Sequence, residues 1–136
     1  MKMPITRREL FGSALALAAG RRAGAAGKLL FAFEPPERQE DWLSRPLAAF
    51  TPRTVTDSKR LKAEASRIRR QGWAQDRGES APSIYAYAAP IRDHDGGVLA
   101  AVSIPFLHGT AREEVASIRH ATIRMADDIS TAVPRT

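Results

Sequence analysis

Cysteine is absent from the 136 residues, which excludes disulfides, a thiolate zinc site and a cysteine nucleophile. That absence leaves the compartment open, because exported and cytosolic chains alike can do without cysteine. Histidine is scarce: His94, His108 and His120 are the three, and no spacing among them assembles a metal site. No Gly-x-Ser-x-Gly, His-Glu-x-x-His or P-loop pattern occurs. No catalytic residue, metal or cofactor is therefore expected. No apolar run approaches the roughly 20 residues that span a bilayer, and no internal repeat or low-complexity tract is present.

What the chain does contain is ordinary for one domain with one core: 43% hydrophobic and 26% charged residues. Its net charge of +6 comes mostly from arginine. The densest basic cluster is Lys59, Arg60, Lys62, Arg67, Arg69 and Arg70, all on one expected helix. A solvated helix face is the simplest account, with a phosphate-binding patch as the alternative. No aromatics interleave with the run and no helix-turn-helix precedes it. Direct nucleic-acid binding by this chain alone is not expected.

The first 22 residues carry two readings. Lys2, Arg7 and Arg8 precede the apolar stretch Leu10 to Gly20, and Thr-Arg-Arg-Glu-Leu-Phe resembles a twin-arginine export motif. Alternatively, Leu10, Ala14, Leu15 and Ala18 fall at helical spacing, so one face of an unprocessed helix would pack on a core.

Further along, Gly27 to Phe33 is a short apolar segment stopped by Pro35 and Pro36. Glu37 to Leu43 is expected as a short helix after the prolines. A longer helix is expected from Ser58 to Gln71, capped by Thr56 or Asp57, with Leu61, Ala65 and Ile68 inward and Gly72 ending it. Asp76 to Ser83 is expected as a polar loop. Its Asp76 and Glu79 stand as either a solvated pair or a carboxylate dyad.

Two β-type runs follow, Ile84 to Ile91 and Val98 to Phe106, joined by Arg-Asp-His-Asp-Gly-Gly. They predict an antiparallel hairpin, with the second strand well buried because it is apolar on both faces. His94 in the turn is expected to be solvated. The last element is a long amphipathic helix. Thr110 and Glu113 supply a capping-box pattern, and Val115, Ile118, Thr122, Met125 and Ile129 supply the apolar stripe.

Four blocks then carry a resemblance. They are AAGKLLFAF (Ala25 to Phe33), FTPRTVTDSKRLKAEASRIRRQGWAQDRGE (Phe50 to Glu79), YAAPIRDHDGGVLAAVSI (Tyr87 to Ile104) and the helix through MADDIS (Met125 to Ser130). In number, order and spacing these resemble the C-terminal effector-binding domain of IclR-type transcriptional regulators, across about Gly24 to Ser130. The resemblance implies a non-enzymatic α+β domain: a GAF-like or profilin-like antiparallel sheet flanked by helices, with a C-terminal amphipathic helix. It implies a small organic acid or aromatic carboxylate as effector. It also implies pairing, as a homodimer or as a heterodimer with a related regulator.

Site positions carry over one by one. Ala25 and Ala26 open the first helix, where backbone N–H groups can receive an anion. Asp76 holds the acidic position. Ala86 is the inward position of one strand, and Ser103 and Pro105 are those of the next. Pro105 stands where family members often place a second hydroxyl, so the pocket is expected to be small and rather apolar. Ser103 also reads as a strand serine bonded to a neighbouring carbonyl.

The resemblance has departures. No winged helix is expected in the 136 residues, and the leading helix and opening strands of the effector domain have no counterpart. The expected organisation is an N-terminal segment 1–22 followed by a partial effector domain 23–136, with an incomplete sheet. Export cleavage within residues 1–26 would fall at Ala25-Ala26-Gly27-Lys28, where the pocket helix opens. A cytoplasmic sensor is thus the leading expectation. A periplasmic binding protein, or a remnant without activity, is the alternative.

Overall fold

The computed structural model describes residues 24–135. Both readings of the N-terminal segment lie outside the described residues. The elements are α1 (Ala25–Ala32), α2 (Pro36–Leu43), α3 (Ser58–Gln71), β1 (Ala74–Ala81), β2 (Ile84–Arg92), β3 (Val98–Leu107) and α4 (Arg112–Ala132). The strands form one antiparallel sheet in the order β1-β2-β3, giving the expected α+β class.

The hairpin and α3 form as their local residues dictate. Asp57 caps α3 by accepting from the N–H groups of Lys59 and Arg60, at 2.8 and 3.2 Å. Gly72 ends it in the left-handed region at φ +83°, as a C-terminal glycine does at no steric cost. In the β2–β3 turn, Gly96 takes φ +83° and Asp93 accepts from the N–H groups of Asp95 and Gly97.

The two-residue period of the strands then divides the sheet. One face carries Ala74, Asp76, Ala86, Ala88, Ala101, Ser103 and Pro105, which are cross-strand neighbours in register. Its alanines admit α1 at close range, and Ala25, Leu29, Phe31 and Ala32 pack there. Behind α1, Leu61, Ala65 and Ile68 of α3 and Trp42 of α2 complete the core. The carbonyls at the C-terminal end of α1 are met by side chains: Gln39 donates to Phe31 O at 2.9 Å, and Arg69 donates to Ala32 O at 2.8 Å. Just beyond, Glu34 is buried with Oε1 unpartnered among the described residues, and burial pushes its carboxyl above the usual range against the pull of Arg38.

The opposite face carries Tyr85, Tyr87, Ile104 and Phe106 and receives α4. Tyr87 stacks on Phe106 at 5.5 Å and meets Trp73 edge-on at 5.6 Å, with the Arg119 guanidinium 5.5 Å from the Trp73 ring.

Five expectations are corrected here. The polar stretch expected as a loop is strand β1. Its polar groups are bonded within the fold: Thr51 donates to Gly78 O at 2.7 Å and Thr54 to Glu79 O at 2.6 Å. Strand β3 is not well buried. Only Val98 is buried, while Ser103, Pro105 and Leu107 are exposed, because β3 is an edge strand with no described strand beyond it. The capping box does not form. Helix α4 begins at Arg112 after Ala111, and the Thr110 hydroxyl turns back to Leu107 O at 2.6 Å. The buried line of α4 is Thr122 and Ala126, leaving Met125 and Ile129 at 45% and 40% exposure. The turn residue His94 is exposed but not merely solvated: its Nε2 lies 2.6 Å from Val133 O and ties the hairpin to the end of α4.

Candidate functional site

The six positions carried over by resemblance sit around the α1 face of the sheet. Asp76, Ala86 and Pro105 form one cross-strand row, and Ser103 lies in the next row opposite Ala88. Ala25 belongs to the same buried cluster as Ala86, with Ala26 packed against it. The site is asymmetric in exposure: Ala25, Asp76 and Ala86 are buried, whereas Ser103 and Pro105 are exposed rather than inward. The Ser103 hydroxyl makes no hydrogen bond to another described residue, so the neighbouring-carbonyl reading is not realised.

Among the described residues, the donors of the first turn of α1 meet no side chain. Its N-cap is Gly24, in extended conformation and without a side-chain cap. The first N–H groups of a helix have no intrahelical acceptor, and among the described residues no side chain supplies one. They are suited to an anionic oxygen.

Asp76 is 4% exposed, and both its oxygens are engaged. Oδ1 accepts from the N–H of Glu79 at 2.7 Å and Oδ2 from the Ser80 hydroxyl at 3.0 Å. These bonds close the bulge in β1 around Gly78, where the register with β2 shifts. Asp76 and Glu79 are thus neither a solvated pair nor a dyad sharing a proton. The Glu79 carboxylate points instead to Lys28.

Lys28 escaped sequence reasoning. It is 2% exposed, and its Nζ donates to Glu64 Oε1 at 2.5 Å and to Glu79 Oε2 and Oε1 at 2.9 and 3.1 Å. Glu79 Oε2 also accepts from the Arg77 N–H at 3.0 Å. Burial pushes the Glu79 carboxyl above its ordinary range, with Lys28 as the main opposing influence. The available signal was a lone lysine inside an apolar run, since a fully buried lysine requires partners.

Two clefts adjoin this region. One, of about 330 Å³, runs along the α4 side of the sheet past Tyr85, Tyr87, Phe106 and Val115. The other, of about 890 Å³, lies between α3, the 52–55 turn and β1. Of the six carried-over positions, Asp76 alone lines either cleft, the smaller one. No described helix is long and apolar enough to cross a membrane, and the described residues hold no cluster of three potential metal ligands.

An antiparallel sheet with α1 across one face and α4 on the other is an architecture shared with solved C-terminal domains of transcriptional regulators, such as that of E. coli KdgR, at TM-score 0.70 and 27% identity. The chain belongs to the family described as bacterial transcriptional regulator IclR C-terminal, whose sequence profile matches residues 11–131. It is 45% identical to the HTH-type transcriptional regulator Rv1719 of Mycobacterium tuberculosis over 84 residues, or 60% of this chain and 31% of that one. Among solved structures, an IclR homolog from Microbacterium sp. strain HM58-2 matches 85% of this chain and 48% of that chain, with TM-score 0.71 and 31% identity. A double mutant of the PobR inducer-binding domain from Acinetobacter, in complex with 3-hydroxybenzoic acid, matches 82% of this chain and 68% of that one. Its TM-score is 0.75 and its identity 20%, a likeness of fold. The chain spans about a third of the length of the curated regulators it matches. Its family is one of transcriptional regulators, not enzymes.

Proposed function

We propose that this chain is a small-molecule effector-binding module that receives a small organic acid or aromatic carboxylate on the α1 face of the sheet. The observation that carries this reading is the uncapped first turn of α1 beside the row Asp76–Ala86–Pro105. The acid group takes the backbone N–H groups of Ala25 and Ala26. The Ser103 hydroxyl donates from the open side, and the alanines accept the apolar body. The module works in the cytoplasm. A thermal-shift screen of the full chain against small aliphatic and aromatic carboxylates, 3-hydroxybenzoic acid among them, tests it. At least one acid is expected to raise the unfolding temperature, and Ser103→Ala to weaken that acid about tenfold by deleting one charge-assisted hydrogen bond. A broad panel with no stabilising acid sinks the reading.

A second copy, or a full-length relative, is the partner we assign to the open edge of β3. Strand β3 is unpaired on its outer side among the described residues. Leu107, Met125 and Ile129 stand exposed at 63%, 45% and 40%. An open edge with apolar neighbours favours association. Sedimentation of the purified chain is expected to give a dimer. A monomer throughout the micromolar range leaves only pairing with a relative, which co-purification of the two chains then tests.

A further inference from the structure

The basic run on α3 divides into used and unused charge. Lys62 pairs with Glu40, and Arg69 donates to Ala32 O. Arg60 and Arg67 have no hydrogen-bond or ion-pair partner among the described residues. Their natural helical neighbour is Glu64, four residues after Arg60 and three before Arg67. That carboxylate is already held by Lys28. Arg60 and Arg67 instead line the larger cleft, where Arg53 and Arg77 join them from the 52–55 turn and from β1.

The electrostatics of this cleft are one-sided. Lys28 consumes both of its carboxylates, Glu64 and Glu79. Four guanidiniums, those of Arg53, Arg60, Arg67 and Arg77, remain without a carboxylate partner among the described residues. The walls are also prearranged. Thr54 Oγ1 donates to Glu79 O and accepts from the N–H groups of Phe50 and Thr51. Thr51 Oγ1 in turn donates to Gly78 O and accepts from the Arg53 N–H. The turn carrying Arg53 is thereby fastened to the β1 bulge, and the Arg53 guanidinium donates to the Tyr85 hydroxyl. Prearranged donors lose little freedom when a ligand arrives.

We propose that this cleft is a second binding site, for a small anion bearing two or more negative charges on oxygen, distinct from the effector face. Guanidiniums pair in forked geometry with phosphate and carboxylate oxygens alike. Phosphate esters and polycarboxylates share that chemistry. A concave cleft of about 890 Å³ with arginines entering from three elements fits a compact anion better than an extended backbone. The site is independent of the effector proposal, because none of the six effector positions lines this cleft.

Calorimetric titration of the full chain at low ionic strength with inorganic pyrophosphate and with citrate tests the proposal, chloride at matched ionic strength serving as baseline. Binding of either above baseline is expected, and the tighter one names the class. The exposed double variant Arg60→Gln/Arg67→Gln is expected to lose about tenfold in affinity per arginine while keeping its unfolding temperature. Arg77→Gln, on another element, is expected to lose about tenfold as well. Neither anion exceeding chloride overturns the proposal, as does unchanged affinity in the double variant. A short DNA duplex that binds more tightly than both anions, and is lost in the same variant, also overturns it by making the arginines a nucleic-acid patch.

Discussion

Lys28→Met is expected to destabilise the domain by about 3–5 kcal/mol, the cost of leaving a buried ion cluster without its counter-charge. Lys28 is 2% exposed and, among the described residues, is the only cation bonded to Glu79. Methionine retains most of the apolar stem, so packing changes little. What remains is the Glu79 carboxylate, 5% exposed, with the Arg77 N–H as its one remaining donor among the described residues. Against a total stability of about 5–15 kcal/mol for a domain, this is enough to unfold a large share of the molecules at 37 °C. Urea unfolding provides the measurement. Replacing Glu79 as well, in Lys28→Met/Glu79→Gln, is expected to return part of the loss, because neighbours in one network do not act additively.

The same variant carries a pH signature whose sign follows from Glu79. Its carboxyl is raised above 4.5 by burial, and Lys28 opposes that rise. Removing Lys28 lets the folded-state value climb further. A carboxyl raised on folding contributes stability below its unfolded value, and that contribution is lost as pH rises through the folded value. The deficit of Lys28→Met relative to wild type is therefore expected to be small near pH 4.5 and to widen as pH rises to 8. A deficit independent of pH would show that the loss is one of packing.

Gly78→Ala is the second large effect, expected at about 2–4 kcal/mol. Gly78 has φ +71°, and an added Cβ would stand 2.8 Å from Pro82 O, a backbone atom without freedom to retreat. Gly72→Ala is the control. Gly72 has a similar φ of +83° but nothing within 4 Å of the added Cβ, so only the cost of the left-handed conformation remains, about 1–2 kcal/mol. Thermal unfolding of the two variants separates the parts. Equal losses would remove the steric argument. Because the bulge at Gly78 also places Asp76 and Glu79, Gly78→Ala is expected to weaken any effector found for the α1 face, whereas Gly72→Ala is not.

These residues also mark how far the sequence could be read. Helix α3 was legible because its signals are local: Asp57 before it, Gly72 after it, and Leu61, Ala65 and Ile68 between. The β2–β3 hairpin was legible for the same reason, from an Asp-Gly-Gly turn between two β-type runs. Strand β1 was not. Asp76 to Ser80 is as polar as a loop, and it becomes a strand through β2 on one side and the hydroxyls of Thr51 and Thr54 on the other. The α4 stripe was legible in period but not in phase. Met125 and Ile129 fit the spacing, yet the sheet receives Thr122 and Ala126.

The sequence by itself determined the family, through four ordered blocks, and the elements whose capping and turn residues lie within a few positions of each other. It also named the six candidate effector positions. Only the tertiary structure decided which charges are spent and which are free. Lys28 reaches partners 36 and 51 residues away, a separation at which no local periodicity carries information. That one buried ammonium removes both carboxylates from the α3 cleft and leaves its arginines open. The edge position of β3 is likewise a matter of sheet order: Ser103 and Pro105 lie in open water because no described strand flanks them, not because of anything in their own residues.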